Sequence, residues 1–231
     1  MNDLASLLDL SFAWEYRHLL IRGLMVNIQV FAMSAAIAVL LGLVLASAML
    51  RGPGWSRGLT TGFAEFMRNI PEYVLIIWMF IALPFLLTRL TGTRISFGAM
   101  PTAVVALGLV FSAYFAETFR AGFQATSPGQ TEAAAALGMM PRQITGRILI
   151  PQVLLRLAPE MLNVSISLFK TTSILSLIGI QDVMYQASTM SGQLTRPVPI
   201  YTGAAIMFVG TIIIASLVVR LITAKLHERM N

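Results

Sequence analysis

Residues 111–151 have the sequence FSAYFAETFRAGFQATSPGQTEAAAALGMMPRQITGRILIP, and this stretch organises the rest of the chain. An apolar run comes first and a short Ala-rich segment follows it. Ser127 supplies an N-cap oxygen, Pro128 suits the first helical position, and Gln130 occupies the position of a capping-box residue. These signals predict that a helix begins at this point.

Gly138 marks the predicted end of that helix, because a residue without a Cβ atom reverses the chain cheaply through the left-handed region. Pro141 is placed to open a second short helix toward Ile150. The face formed by residues 133–136 is nearly flat, and a flat face suits close docking against another protein. The stretch therefore predicts a helix–turn–helix loop between two hydrophobic spans.

The composition places this chain in a membrane. Of its 231 residues, 57% are hydrophobic and only 11% are charged, against about 25% charged in an average soluble domain. The net charge of +6 comes from Arg and Lys residues at the ends of apolar runs, which is where membrane topology places them. We therefore expect no nucleic-acid partner. With no cysteine and two isolated histidines, His18 and His227, the sequence predicts no disulfide and no metal site.

Five segments are predicted to cross the hydrocarbon core, which is about 30 Å thick and is spanned at about 1.5 Å per residue. They cover about residues 24–50, 70–88, 95–117, 148–169 and 200–220. The fourth is the least apolar, because two prolines and three polar residues interrupt it. Protein or a wet cavity must surround such a segment. The predicted fold is an all-α polytopic membrane protein.

The remaining segments connect or flank these spans. Residues 1–23 are expected to lie at the interface, without a cleavable signal, because acidic residues interrupt them. Residues 51–58 are interpreted as a turn-rich polar loop that leads into the second span. Residues 171–189 are interpreted as an amphipathic helical segment that stays on the far side. Residues 223–231 are expected to form a tail after the membrane region 24–222.

Two smaller features of the spans carry predictions. Gly42 and Ala46 stand four residues apart in the first span, a spacing that allows two helix backbones to approach closely; chance in an Ala-rich helix explains it equally well. Pro84 is expected to kink the second span near its end.

The positive charges predict the orientation of the chain. Five crossings leave ten of the 16 Lys and Arg residues on one side and six on the other. The richer side is expected to be cytoplasmic. Its ten residues are Arg51, Arg57, Arg68, Arg120, Arg142, Arg147, Arg156, Arg220, Lys225 and Arg229. This places the 127–150 loop and the C-terminus in the cytoplasm and the N-terminus outside.

No motif for energy-converting chemistry occurs in the sequence. The chain has no GxxxxGK[ST] phosphate loop, no GxSxG nucleophile elbow and no HExxH metal helix. We therefore expect that the chain is not an enzyme by itself. Energy for active transport must then come from a partner or from an ion gradient. A channel would need no such source.

The loop resembles the "EAA" loop of permease subunits of ATP-binding-cassette (ABC) importers. The resemblance rests on Glu132, Ala133 and Ala134, followed by Gly138 and then by Ile148 and Pro151. Ile150 departs from the pattern, which usually has Leu there.

Flanking residues narrow the resemblance to the polar amino acid uptake group, over most of residues 22–222. Asn27, where the group tends to have Thr, and Thr171, where it often has Asp, are departures that leave substrate details open. The matching positions are Arg68, Ile70, Pro71, Leu83, Pro84, Ala113, Tyr114, Ala116, Glu117, Arg120, Gly122, Gly129, Gln130, Pro151, Gln152, Pro159, Asn163, Lys170, Thr172 and Ser173.

The resemblance implies a type I ABC importer permease with several partners. These are two ATPase subunits, a second permease subunit that is either an identical copy or a sister chain, an extracytoplasmic solute-binding protein, and the lipid of the bacterial inner membrane. ATP would be bound by the partners, so no cofactor is expected in this chain. The cargo would be a polar amino acid or a related compound such as an opine.

The resemblance also implies which loop residues couple ATP hydrolysis to transport. They are Gln130, Glu132, Ala133, Ala134, Gly138 and Pro151. In that arrangement Glu132 would pair with a basic residue of the ATPase, and Gly138 would set the angle between the two short helices. The alternative is an ordinary cytoplasmic hairpin in which Glu132 is simply solvated.

Four polar residues within or beside the spans are candidates for the translocation path, namely Glu117, Glu160, Asn163 and Lys170. Each has a simpler explanation. Glu117 can pair with Arg120 and Glu160 with Arg156 on their own helices. Lys170 can extend to the outer interface, and Asn163 can form an interhelical hydrogen bond.

Two other functions remain open at this point. A gradient-driven carrier is disfavoured because five spans without an internal repeat do not supply the symmetry common in such folds, although a dimer would. A channel or structural membrane subunit is disfavoured because no selectivity-filter pattern is present.

Overall fold

The computed structural model describes residues 11–125 and 128–228, which form helices joined by short turns, with no strand among them. In chain order the helices are α1 (Ser11–Glu15), α2 (Arg17–Arg51), α3 (Gly54–Asn69), α4 (Glu72–Ile77), α5 (Leu83–Thr91), α6 (Ala99–Gln124), α7 (Pro128–Ala136), α8 (Pro141–Gln143), α9 (Ile150–Thr171), α10 (Val183–Leu194) and α11 (Pro197–Glu228). Two π-helical segments and one 3-10 helix connect some of them: Trp78–Ala82, Ile144–Leu149 and Thr172–Ile178.

Five stretches of the described chain are long and apolar enough to cross a membrane, which confirms the predicted all-helical, five-span class. They are Arg17–Arg51, Glu72–Thr91, Ala99–Gln124, Arg156–Ile178 and Pro197–Lys225. The helices extend past the predicted spans, because backbone hydrogen bonding continues beyond the apolar residues. The first helix begins at Arg17 rather than at residue 24, and the third ends at Gln124 rather than at residue 117.

The core of the chain is the pair α2 and α6, which form the most extensive helix contact in the described residues. Glycines allow this close approach: a Cβ atom added at Gly42 would lie 2.8 Å from the Cβ of Phe115, and one added at Gly108 would lie 2.7 Å from Cγ2 of Ile37. Ala46 is also buried. The spacing of Gly42 and Ala46 therefore marks a packed helix interface rather than chance.

The predicted polar loop after the first span is wrong, because most of it is the helix α3, Gly54–Asn69. Gly52, Pro53, Gly54 and Gly58 suggested turns. One side of the helix nevertheless packs against the chain, where Phe63, Ala64 and Met67 lie beside Leu45 of α2 and Ala113 of α6. Tertiary packing of an amphipathic face stabilises this helix, and propensity alone did not indicate it.

A π-helical segment precedes Pro84 in the second span, close to where the sequence predicted a kink. Residues Trp78–Ala82 adopt the wider turn immediately before Leu83 and Pro84. A proline in a helix lacks an N–H donor and crowds the carbonyl four residues earlier, and a locally widened turn relieves both problems.

The fourth span belongs to one uninterrupted helical stretch that begins at Pro141, so the predicted second short helix is not a separate element. The stretch passes through Ile144–Leu149 and α9 and ends as the 3-10 helix at Ile178. Gly179 then takes a positive φ of 79° and ends it. The predicted single amphipathic segment over 171–189 is therefore wrong, because this turn divides it and α10 begins at Val183.

Candidate functional site

Gly138 ends α7 in the left-handed region, with φ 77°, as the sequence predicted. Two backbone hydrogen bonds close the turn: the Gly138 N–H donates to the Ala135 carbonyl at 2.9 Å, and the Met139 N–H donates to the Ala134 carbonyl at 3.2 Å. This is the Schellman arrangement, in which a residue without Cβ takes the left-handed position. A Cβ atom added at Gly138 would meet nothing within 4 Å.

The next helix begins with its own cap, because the Gln143 side-chain Oε1 accepts a hydrogen bond from the Met140 N–H at 2.9 Å. The turn between α7 and α8 is therefore short and fully hydrogen-bonded. It holds two large apolar side chains in solvent, Leu137 at 83% exposure and Met140 at 62%. Exposed apolar residues on a rigid turn are typical of a protein-docking surface.

The other predicted loop residues divide into three groups. Glu132 and Ala133 are exposed on α7, whereas Ala134 is buried against the chain itself. Gln130 lies in α7 and Pro151 in α9, but the described side chains do not include theirs. The predicted N-cap Ser127 lies outside the described residues. Ala134 is therefore not part of the exposed surface predicted for residues 133–136, whereas Leu137 and Met140 are exposed close to it.

Three of the four predicted path residues lie on one face of α9. Glu160, Asn163 and Lys170 are exposed, and the spacing of three or four residues also brings Arg156 and Ser167 onto this face. We call these five residues the α9 polar face. The Asn163 Nδ2 lies 3.5 Å from a carboxylate oxygen of Glu160, one turn away.

The neighbouring face of α9 is apolar and buried. Val153, Leu157, Val164 and Leu168 pack into the core beside α6 and its neighbours. Contact with α6 is close at Gly122, where an added Cβ atom would lie 2.6 Å from side-chain atoms of Leu157. Packing of the buried face against the core therefore fixes the direction of the α9 polar face. Most of α9 belongs to a membrane span.

Arg156 and Glu160 do not pair with each other, contrary to the simpler explanation. The Arg156 Nη1 donates to the Ala125 carbonyl at 2.7 Å, which fastens the start of α9 to the end of α6. The Glu160 carboxylate therefore faces the Asn163 amide rather than Arg156.

Glu117 stands apart from the α9 polar face. Both of its carboxylate oxygens accept hydrogen bonds from Arg120 on its own helix, which in turn donates to Gln124 at 2.8 Å. Its side chain is 35% exposed. The predicted pairing of Glu117 with Arg120 is confirmed, and the structure brings Glu117 into no contact with Glu160, Asn163 or Lys170.

A buried polar cluster that the sequence did not predict joins α2 to the segment after the fourth span. The Asn27 Nδ2 donates to the carbonyl and to the Oγ1 of Thr172, each at 3.0 Å, and lies 3.5 Å from Oδ2 of Asp182. The Asn27 Oδ1 accepts from the Val183 N–H at 3.0 Å. We call Asn27, Thr172 and Asp182 the buried polar cluster; all three are fully buried.

Asp182 also caps α10, because its Oδ1 accepts the Tyr185 N–H at 2.8 Å. Burial raises the pKa of Asp182 to about 6, and the hydrogen bonds from Tyr185 and Asn27 only partly offset this rise. The backbone of α2 also lies very close to the start of α10 beside the cluster. A Cβ atom added at Gly23 would lie only 2.6 Å from the Val183 backbone nitrogen. A lone Asn inside an uncharged span was the one available sequence signal.

Within residues 11–125 and 128–228 no group of three or more His, Cys, Asp or Glu side chains could hold a metal ion. The polar groups described above are instead spread along one helix face and around one turn. Such an arrangement suits passage of a polar solute and contact with another protein.

Comparison with known proteins agrees with this geometry. Residues 5–231 match the model of the family described as "Binding-protein-dependent transport system inner membrane component". The arginine ABC transporter permease protein ArtQ of Haemophilus influenzae is 33% identical over 160 residues, which cover 69% of this chain and 72% of that protein. The histidine/lysine/arginine/ornithine transport system permease protein HisQ of Escherichia coli K12 is 30% identical over 186 residues, covering 79% and 81%.

A solved structure described as an amino acid ABC transporter with histidines contains a chain with the same fold. Its TM-score is 0.82 at 28% sequence identity, with 94% of this chain and 98% of that chain covered. The relatives are permease subunits and not ATPases, and their systems combine a permease with separate components. This multi-pass membrane chain therefore belongs to the family of binding-protein-dependent transport system inner membrane components, the permeases of ABC importers.

Proposed function

We propose that this chain forms half of the translocation path for a polar amino acid or an amino acid derivative such as an opine, in an importer driven by partner ATPases. The named relatives carry amino acids. The partners are two ATPase subunits, a second permease chain, identical or sister, and an extracytoplasmic binding protein. The partners bind the ATP, and this chain needs no cofactor.

The α9 polar face is the observation that carries this proposal. A membrane span with five exposed polar or charged residues on one face cannot turn that face to lipid, because unpaired polar groups in hydrocarbon cost several kcal/mol each. The face must border water, a solute or another subunit. Asn163, Glu160 and Lys170 present both donors and acceptors there, as the ammonium and carboxylate of an amino acid require.

The same helical stretch connects the path to the loop. The chain passes from the Gly138 turn through Pro141 to Ile178 without a helix break. A partner that grips Leu137, Met140 and Glu132 therefore holds one end of the helix that carries the α9 polar face. Movement of the loop changes the direction of that face, which is the alternating access that an ATP-driven importer requires.

Loop coupling is tested with Gly138→Asp, and Gly92→Asp is the matched control. Gly92 has φ 70° and, like Gly138, open space around the position of an added Cβ atom. Both substitutions introduce similar backbone strain and the same charge, and Gly92 lies between the second and third spans. We expect Gly138→Asp to lose substrate-dependent ATPase activity and uptake in proteoliposomes, while Gly92→Asp retains the ATPase subunits and their stimulation. Normal uptake by Gly138→Asp would contradict the coupling role.

The path is tested separately with Asn163→Leu, which removes a polar group from the α9 polar face and adds none elsewhere. We expect uptake to fall at least tenfold while the ATPase subunits still copurify. Asn69→Leu is the control, because the Asn69 side chain is exposed and bonds only the Glu65 carbonyl of its own helix. Uptake that persists in proteoliposomes without any ATPase would favour a gradient-driven carrier.

Orientation is tested at Gln143, which we place in the cytoplasm. The chain has no cysteine, so Gln143→Cys gives one labelling site. A membrane-impermeant maleimide added to intact cells should leave it unmodified and should modify it after the membrane is opened. Labelling of intact cells would place the loop outside, beyond the reach of any ATPase.

A further inference from the structure

A groove between α9 and α11 combines an apolar interior with a basic opening. Its inner part is a cavity of about 250 Å³ lined by Ile28, Phe31, Leu162, Ser165, Ile166, Phe169, Thr211, Ile212 and Ala215. Its outer part is a cavity of about 420 Å³ lined by Ala158, Pro159, Leu162, Asn163, Val219, Arg220, Thr223 and Ala224. Leu162 lines both parts, so the two cavities are adjacent, and together we call them the groove.

The inner part has no polar group left to satisfy. The Ser165 Oγ donates to the Met161 carbonyl at 2.7 Å, and the Thr211 Oγ1 donates to the Met207 carbonyl at 2.8 Å. Both hydroxyl groups are thus bonded to their own helices. An apolar guest therefore suits this part of the groove, and a polar solute does not.

The opening carries a positive charge. Arg220 is exposed, and among the side chains that the structure describes no carboxylate lies within ion-pair distance of it. The Thr223 hydroxyl beside it donates its proton to the Val219 carbonyl at 2.8 Å. It can therefore only accept a further hydrogen bond. The guanidinium is therefore the charged donor at this opening, beside the neutral amide of Asn163, and it suits an anionic oxygen such as that of a phosphate.

The length of the groove matches one leaflet of a bilayer. Thr211 and Thr223 lie twelve residues apart on α11, or about 18 Å at 1.5 Å per residue. Half of a hydrocarbon core of about 30 Å is similar. The side of α11 next to the groove is also lined with exposed apolar residues, including Ile214, Leu217 and Leu221, as expected of a helix that contacts lipid.

We propose that this groove is a binding site for an anionic phospholipid, with one acyl chain along the apolar interior and the phosphate at Arg220. Basic openings between spanning helices bind anionic headgroups by such contacts. The site lies beside the α9 polar face and shares only Asn163 with it. Its occupancy does not depend on which solute the chain carries.

The test uses the intact importer complex, purified in mild detergent and exposed to equal amounts of dioleoyl phosphatidylglycerol and dioleoyl phosphatidylcholine. Native mass spectrometry counts the lipid retained per permease chain. We expect the wild-type complex to retain phosphatidylglycerol preferentially. Arg220→Gln should weaken its retention about fivefold and leave phosphatidylcholine unchanged, since one basic residue near an anionic lipid contributes about that factor.

Two matched pairs of variants separate charge from shape. Lys225→Gln removes an exposed basic residue of α11 that does not line the groove, and it should behave as wild type. Ala215→Phe fills the inner part and should lower retention of both lipids, whereas Ile214→Phe adds bulk on the next residue, outside the groove, and should not.

Three results would overturn the proposal. Equal retention of the two lipids by the wild-type complex would show a general lipid shell only. Absence of retained lipid in the wild-type complex would show that the groove does not hold a phospholipid. Full displacement of phosphatidylglycerol by excess inorganic phosphate would show a phosphate site without an acyl-chain groove.

Discussion

Helices α6 and α11 are both uncharged over most of a membrane span, yet α6 is largely buried by the rest of the chain and α11 is not. In the most apolar 18-residue window of α6, 67% of the residues are buried by the rest of the chain, and in that of α11 none is. The less apolar helix is the buried one. Hydropathy thus indicates which segments can enter a bilayer, but it does not indicate which segments pack against protein.

Residue size explains the difference better than hydropathy does. The buried positions of α6 include Ala103, Ala106, Gly108, Ala113 and Ala116, which allow neighbouring backbones to approach. The exposed positions of α11 are mostly branched residues such as Ile213, Ile214 and Val218. In lipid no hydrophobic force brings helices together, so close packing of small residues has to do so. Four predictions follow the comparison from the largest effect to the smallest.

Gly42→Leu should destabilise the chain most, by about 3 kcal/mol or more, because the new side chain enters the packed contact with Phe115 of α6. Gly210→Leu on α11 is the control, since its Cβ atom would meet nothing within 4 Å. Thermal unfolding in detergent measures both. Equal losses of stability would remove the distinction between the two helices.

Asn27→Ala should cost about 2 kcal/mol, because it leaves the buried Val183 N–H and the Asp182 carboxylate without their partner. The cluster fastens α10, and α10 is the main contact of α11. Hydrogen exchange should therefore increase in α10 and α11 and stay unchanged in α6. An increase confined to α6 would contradict this arrangement.

Asp182 should make the stability of this region depend on pH. The pKa of Asp182 is raised to about 6 by burial, above its ordinary value of 3.8, so the folded chain holds the proton more tightly than the unfolded chain. The resulting stabilisation is complete below about pH 4 and is lost as the pH rises through 6. We expect unfolding to need about 1 kcal/mol more at pH 5 than at pH 7.5. Asp182→Asn should abolish most of that difference.

Glu117→Gln should change stability least, by about 0.5 kcal/mol at most, although Glu117 lies on the buried helix α6. Its ion pair with Arg120 is partly exposed and lies within one helix turn, where such pairs contribute little. Chemical denaturation checks the stability. A loss above 2 kcal/mol would mean that the pair supports contacts beyond its own helix.

The sequence predicted the features that depend on neighbouring residues. The five spans follow from uncharged runs, and the left-handed turn at Gly138 follows from the need for a residue without Cβ. Glu160, Asn163 and Lys170 were chosen as candidates for the path because polar groups stand out in an apolar segment, and their placement on one face follows from helical spacing.

Features that depend on distant residues escaped the prediction. The buried polar cluster joins Asn27 to Asp182 across 155 positions of sequence, and no local pattern indicates such a contact. The beginning of helix α3 was interpreted as a loop because Gly54 and Gly58 follow Gly52 and Pro53 and imitate turns, whereas packing against α2 and α6 stabilises the helix. Ala134 was expected to dock outward with its neighbours and instead faces inward.

The unbroken stretch from Pro141 to Ile178 has a mechanical consequence. At about 1.5 Å per residue it is a rod roughly 55 Å long, attached near its middle through Leu157 to Gly122 of α6. Pivoting a rod of that length by about 10° around such an attachment sweeps each end through roughly 5 Å, in opposite directions. An inward pull at one membrane surface is thereby converted into an outward displacement at the other.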